Sequence, residues 1–195
     1  MQGLERLAAT FFAVIFSAAM PADQSIEARS SSDSRTEQYP PALTSEHSAL
    51  AEQEGEFSLQ SRYWSSQEAE PIVTRLNAQR RMVLGNRVLE LVVSSDPGSD
   101  YPYQGRGLTG FDTSLNKHWY IWMDTTSTGV ALLYGSLSQD STGVLEGSVT
   151  NRTQGVETPL RIEIRRQGSR EIHEYFSPDE IGNEWRWMEL IYDRY

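Results

Sequence analysis

Leu160, Ile162 and Ile164 alternate with Arg161, Glu163 and Arg165, which gives a strand laid over them one apolar face and one charged face. Runs with the same period of two fill the chain from Phe57 onward, broken by Gly, Asn, Asp, Ser and Pro. The first begins at Phe57, Leu59 and Tyr63, and the next two span Pro71 to Leu84 and Arg87 to Val93. Gln104 to Phe111 and Lys117 to Asp124 flank the polar turn Asp112–Asn116, and Val130 to Leu137 and Val144 to Val149 flank a second. Leu160 to Arg166 and Glu171 to Phe176 flank Gln167-Gly168-Ser169, and Glu184 to Tyr195 closes the chain. No helix-length pattern separates these runs. Before them, Thr44-Ser45-Glu46-His47 predicts a helix start with a capping hydroxyl, and a short helix then runs to about Glu54 and stops at Gly55. The pattern predicts an all-β fold, an antiparallel up-and-down β-barrel of about ten strands behind one short α-helix. Closure would remove the exposed edges of so twisted a sheet, although alternation alone leaves the degree of closure open.

Upstream the pattern changes twice. Leu7 to Ala19 (LAATFFAVIFSAA) is an uncharged, mostly apolar run behind Arg6, shorter than the roughly 20 residues a spanning helix needs. Ser17-Ala18-Ala19 supplies the small residues a signal peptidase reads, so residues 1–19 are expected to be a cleaved signal peptide. The alternatives are an uncleaved anchor or a buried helix. Residues 20–43 are Ser-rich and acidic, end in Tyr39-Pro40-Pro41, and hold too few apolar side chains to offset the entropy of ordering. They are expected to form a disordered linker, leaving residues 44–195 as a single barrel domain, secreted or periplasmic and not inserted in a membrane.

Composition narrows the chemistry. The chain of 195 residues has a formal net charge of -10 and no Cys, so it carries no disulfide, thiolate metal site or cysteine nucleophile. Met20–Glu56 holds eight acidic residues against two basic ones, which concentrates the acidity ahead of the barrel. A nucleic-acid partner needs a basic face and is not expected. A mean hydropathy of -0.52 excludes a polytopic membrane protein.

Gly105-Arg106-Gly107-Leu108-Thr109-Gly110 matches the dinucleotide fingerprint G-x-G-x-x-G, which works only where a helix follows to receive the pyrophosphate. Here a turn and the aromatic strand His118-Trp119-Tyr120-Ile121-Trp122 follow, so the glycines are expected to make room for large rings or for bending. By alternation His118, Tyr120, Trp122 and Asp124 share one face of their strand. In the last run Trp185, Trp187, Glu189 and Ile191 share one face, and Met188, Leu190, Tyr192 and Arg194 the other. The rings fill a core or wall a ligand cavity; a carboxylate in phase with two indoles is either paired or functional. Trp122 as wall, Asp124 and Glu189 as polar anchors, and Tyr192 are the candidate ligand-binding residues. His47, His118 and His173 have no metal-ligand spacing, and no metal or cofactor is expected; His173 reads as a solvent-facing strand residue, the alternative being a haem ligand. No H-E-x-x-H or G-x-S-x-G occurs, so no catalytic residue is assigned. Asn151-Arg152-Thr153 is a formal glycosylation sequon.

Several segments, in order, resemble the uncharacterised bacterial family called domain of unknown function 1579. They are Glu46-His47 with Leu50, Gly55-Glu56-Phe57, Leu84-Gly85-Asn86-Arg87, the Gly105–Asp112 strand, Trp122-Met123-Asp124 with Thr128-Gly129, and Met188-Glu189 with Tyr192 and Arg194. The resemblance covers about residues 44–195 and implies a calycin- or lipocalin-like barrel with no established activity. The family usually has Trp where Phe57 stands and Gly where Asn86 stands. In lipocalin-like barrels a Gly-x-Trp packs under an Arg of the last strand, which implies that Arg194 is a structural plug over Phe57. The functional expectation is an exported barrel binding a small, partly apolar molecule. The alternatives are an envelope-interaction module without a ligand, and an enzyme using Asp124 or Glu189 as general base.

Overall fold

The structure, a computed structural model, describes residues 40–100, 102–150 and 156–195. The predicted signal peptide, linker residues 20–39 and the Asn151 sequon lie outside the described residues. Helix α1 (Ser45–Ala51) precedes ten strands: β1 (Gly55–Tyr63), β2 (Ile72–Val83), β3 (Val88–Ser94), β4 (Gln104–Asp112), β5 (Lys117–Asp124), β6 (Ala131–Leu137), β7 (Gly143–Thr150), β8 (Glu157–Gln167), β9 (Arg170–Pro178) and β10 (Glu184–Arg194). Every strand pairs antiparallel with the next. Strand β10 returns to β1, with Phe57 opposite Arg194 and Tyr63 opposite Met188, so the sheet closes into a barrel. Closure pairs the backbone of the first and last strands and leaves no free edge.

Turn chemistry sets the register. Between β2 and β3, Leu84, Gly85 and Asn86 all have positive φ (51°, 66° and 61°), a left-handed run that Gly and Asn adopt readily and Leu does not. Inward-facing side chains alternate as the pattern predicts, and Leu59, Val93, Leu133, Leu145 and Ile162 are fully buried. Each such side chain contributes about 1.5–3 kcal/mol by leaving water.

The turns after β2, β4, β6 and β8 gather at one end of the barrel with both ends of the described chain, and α1 lies against β2, β3 and β4 there. Leu50 and Ala49 are buried, and the His47 ring meets Phe111 edge-on at 6.1 Å. The Thr44 backbone N–H donates to Nδ1 of His47 (3.1 Å), so this His takes the place of the usual Glu or Gln in a capping box. The helix ends at Ala51, earlier than the predicted Glu54, because the next side chains reach back into the barrel. Gln53 Nε2 donates to Ser141 Oγ (2.7 Å), and Glu54 Oε1 accepts the Met82 N–H (2.7 Å).

Beneath the helix sits a charged floor. Arg80 on β2 makes two hydrogen bonds to Glu171 on β9, Nη2 to Oε1 at 2.6 Å and Nη1 to Oε2 at 3.1 Å, and both residues are buried. The guanidinium carbon also lies 4.8 Å from the Phe57 ring centre and 4.5 Å from that of Tyr192. His173, expected to face solvent, instead points inward, with Nε2 2.6 Å from Glu171 Oε1 and its ring 5.0 Å from Tyr192. Its neighbours Glu171 and Glu174 make β9 polar on both faces, so alternation could not separate inside from outside. Arg194 lies 5.2 Å from the Phe57 ring centre and donates to the Glu52 carbonyl (3.0 Å), the plug position the resemblance implied.

Candidate functional site

At the opposite end the barrel is open. A cavity of about 1130 Å³ descends from the segments after β1, β3 and β5 to the middle of the barrel. Apolar side chains of β1, β3, β8 and β10, among them Leu59, Val93, Leu160, Ile162 and Leu190, make most of its wall. That size and character match sites that hold one small molecule, and ten strands leave an interior wider than side chains can fill.

Trp122 owes its position to the glycines of β4. A Cβ built on Gly105 would stand 2.3 Å from Trp122 Cζ2, and one on Gly107 would stand 3.1 Å from Trp122 Cε3 and 3.2 Å from Tyr120. Gly110, on the opposite face of the strand, has the same relation to Trp119, at 2.3 Å. The G-x-G-x-x-G string is therefore a set of ring seats: two glycines receive rings inside the barrel and the third receives one outside.

Asp124 stands at the mouth, one inward position beyond Trp122. Its Oδ2 accepts from the Trp122 indole N–H (3.1 Å) and from the Tyr103 hydroxyl (3.4 Å). Its Oδ1 accepts from the Thr126 backbone N–H (2.8 Å) and the Thr126 hydroxyl. The carboxylate thus clamps the indole, the phenol and the loop that follows β5. Burial, reinforced by the Asp124 charge, pushes the Tyr103 phenol well up, so it stays protonated and keeps donating.

Deeper in the cavity lie the buried residues Tyr120 and Tyr175. Burial raises both far above the ordinary tyrosine value, and each responds to the other. Trp187 lies beside them, its ring 5.9 Å from that of Tyr175, and its indole N–H donates to Ser177 Oγ (3.2 Å).

Of the four residues singled out by sequence, the structure brings Trp122 and Asp124 together on the cavity wall. Tyr192 lies below, in the floor against Arg80 and His173, where burial pushes its phenol up to about 12. Glu189 is on the outside of β10. It pairs with Arg62 at 3.0 Å, Arg186 at 3.4 Å and Arg165 at 3.8 Å, the paired outcome that sequence left open. The expected facing of the last strand needs correction. A register shift between Arg186 and Met188 turns Trp187 to the inside, so Trp187 and Met188 both line the cavity while Glu189 faces out. Tyr103 and Tyr175 had no periodic signal: one precedes β4 in a loop, and the other lies on a strand polar on both faces.

Residues 42–194 match a family model described as a protein of unknown function (DUF1579). The chain belongs to this family. No curated protein matches it. In this DUF1579 barrel most segments that carry the resemblance serve architecture. Gly105–Gly110 seats indoles, Leu84–Asn86 makes a left-handed turn, and Gly55 and Phe57 receive Arg194, whose Cζ would be 3.4 Å from a Cβ on Gly55. Trp122 and Asp124 are the part of that set that borders the cavity.

Proposed function

We propose that this protein is an exported binding barrel that holds one small, partly apolar molecule in the open cavity. The observation that carries the reading is the cavity itself: about 1130 Å³, mostly apolar, reachable from one end and closed at the other by α1 and the Arg80–Glu171 floor. Trp122 serves as wall and the Asp124 clamp fixes the mouth, while Glu189 and Tyr192 support the scaffold. Export rests on the apolar run Leu7–Ala19 with small residues at its end, and N-terminal sequencing of the mature protein should begin at Met20.

The test is native mass spectrometry of the protein purified from its own host. One bound species of constant extra mass, released on unfolding in acid, is the expected result. Bare polypeptide in every charge state counts against the reading.

A further inference from the structure

We infer that the cavity selects an uncharged molecule carrying a hydrogen-bond acceptor, such as a long-chain alcohol, ester or ketone, and discriminates against the corresponding carboxylate. The inference rests on the binding reading above and adds the ligand's charge and its polar contact.

The distribution of charge carries it. Among the described residues lining the cavity, the single cation is Arg75. It is exposed at the rim, between the inward positions Thr74 and Leu76, and shares that rim with the carboxylates Asp96, Asp100 and Asp124. Among the described residues, the inward-facing arginines lie at the floor and are committed there. Arg80 is bound twice by Glu171 and stacked between Phe57 and Tyr192, and Arg166 Nη2 lies 3.5 Å from the same Glu171. A carboxylate carried below the acidic rim would lose its water and, among the described residues, meet no unpaired guanidinium inside, and an ion buried without a partner is strongly disfavoured.

What the interior does offer is a donor. A protonated phenol carries one O–H that can donate to an acceptor oxygen. Tyr120 and Tyr175 are both buried and line the cavity midway down a mostly apolar wall. Burial keeps both protonated at neutral pH, so they present hydrogen and no negative charge. An acceptor oxygen on an apolar body fits this arrangement, with the body lying along Trp122 and Trp187.

A displacement titration tests it. The purified protein at pH 7.5 is loaded with the fluorescent probe N-phenyl-1-naphthylamine, then titrated with 1-decanol, methyl decanoate or sodium decanoate below their aggregation limits. The expected result is that the alcohol and the ester displace the probe at concentrations at least about tenfold lower than decanoate. A smaller ratio, or a preference for decanoate, overturns the inference and leaves the binding reading standing. Failure of the probe itself to bind counts against the binding reading. The double variant Tyr120→Phe/Tyr175→Phe keeps both rings and removes both hydroxyls. Its preference for 1-decanol over dodecane should fall about fivefold, the value of one hydrogen bond, and an unchanged preference overturns the donor role.

Discussion

At Gly105 a hydrogen is all that fits. A methyl group there would lie 2.3 Å from Trp122 Cζ2, and the indole is held in place by its bond to Asp124. Gly105→Ala should therefore lower stability by about 1–3 kcal/mol and narrow the cavity, both through displacement of one ring. Urea unfolding with a midpoint equal to wild type would contradict this. The floor makes a second prediction. Burial alone would raise the Glu171 carboxyl, but the Arg80 guanidinium, helped by His173, holds it well below the usual carboxylate range. With a folded value below the unfolded one, the pair contributes fully above about pH 4.3, and that contribution is lost as pH falls toward the folded value. Stability should thus decline steadily from about pH 5 downward, and Glu171→Gln should flatten the decline. At pH 7 the same substitution should cost about 3–5 kcal/mol, because Arg80 is left buried without its partner. Urea midpoints measured for both proteins between pH 2 and pH 7 decide it, and parallel curves would contradict the assignment.

Helix α1 acts as a stopper held by neutral imidazoles. His47 Nδ1 accepts the Thr44 N–H at 3.1 Å, and His118 Nδ1 accepts the Leu137 N–H at 3.2 Å, so protonating either ring breaks a bond. Burial lowers both histidines, with Arg87 adding to the effect at His47. A lowered folded value means that the unfolded chain takes up protons first, so stability is full above about pH 6.5 and is lost as pH falls below it. Amide exchange in α1 should quicken between pH 7 and pH 5 by more than the intrinsic pH dependence of exchange allows. His47→Gln, which keeps an acceptor at the third helical position, should remove part of that change. Exchange rates that follow the intrinsic curve would contradict the stopper's pH dependence. The strands themselves were readable to within a few residues, because most hairpins combine alternation with Gly, Asn or Asp at the turn. The bulge in β10 was not, since nothing from Trp185 to Met188 marks an extra residue. A one-residue slip there puts Trp187 inside and Glu189 outside, where alternation had placed them on one face. Trp122 and Asp124 share the inward face as alternation predicts, because β5 alternates without interruption.

At the scale of the molecule, ten strands in sequence order close on themselves and divide the interior into a polar, sealed end and an apolar, open one. Neither division nor depth is visible in alternation, which tells inside from outside and not top from bottom. Closure predicts that residues 40–195 fold alone, with a far-ultraviolet spectrum dominated by β-structure and one cooperative unfolding transition. A mostly helical spectrum would contradict the architecture. Whether the open end binds a ligand is read directly by equilibrium titration of the purified protein with N-phenyl-1-naphthylamine. Binding should saturate at one probe per chain, with tryptophan emission quenched in step because Trp122 and Trp187 line the cavity. A signal that rises linearly without saturating, with tryptophan emission unchanged, would contradict it.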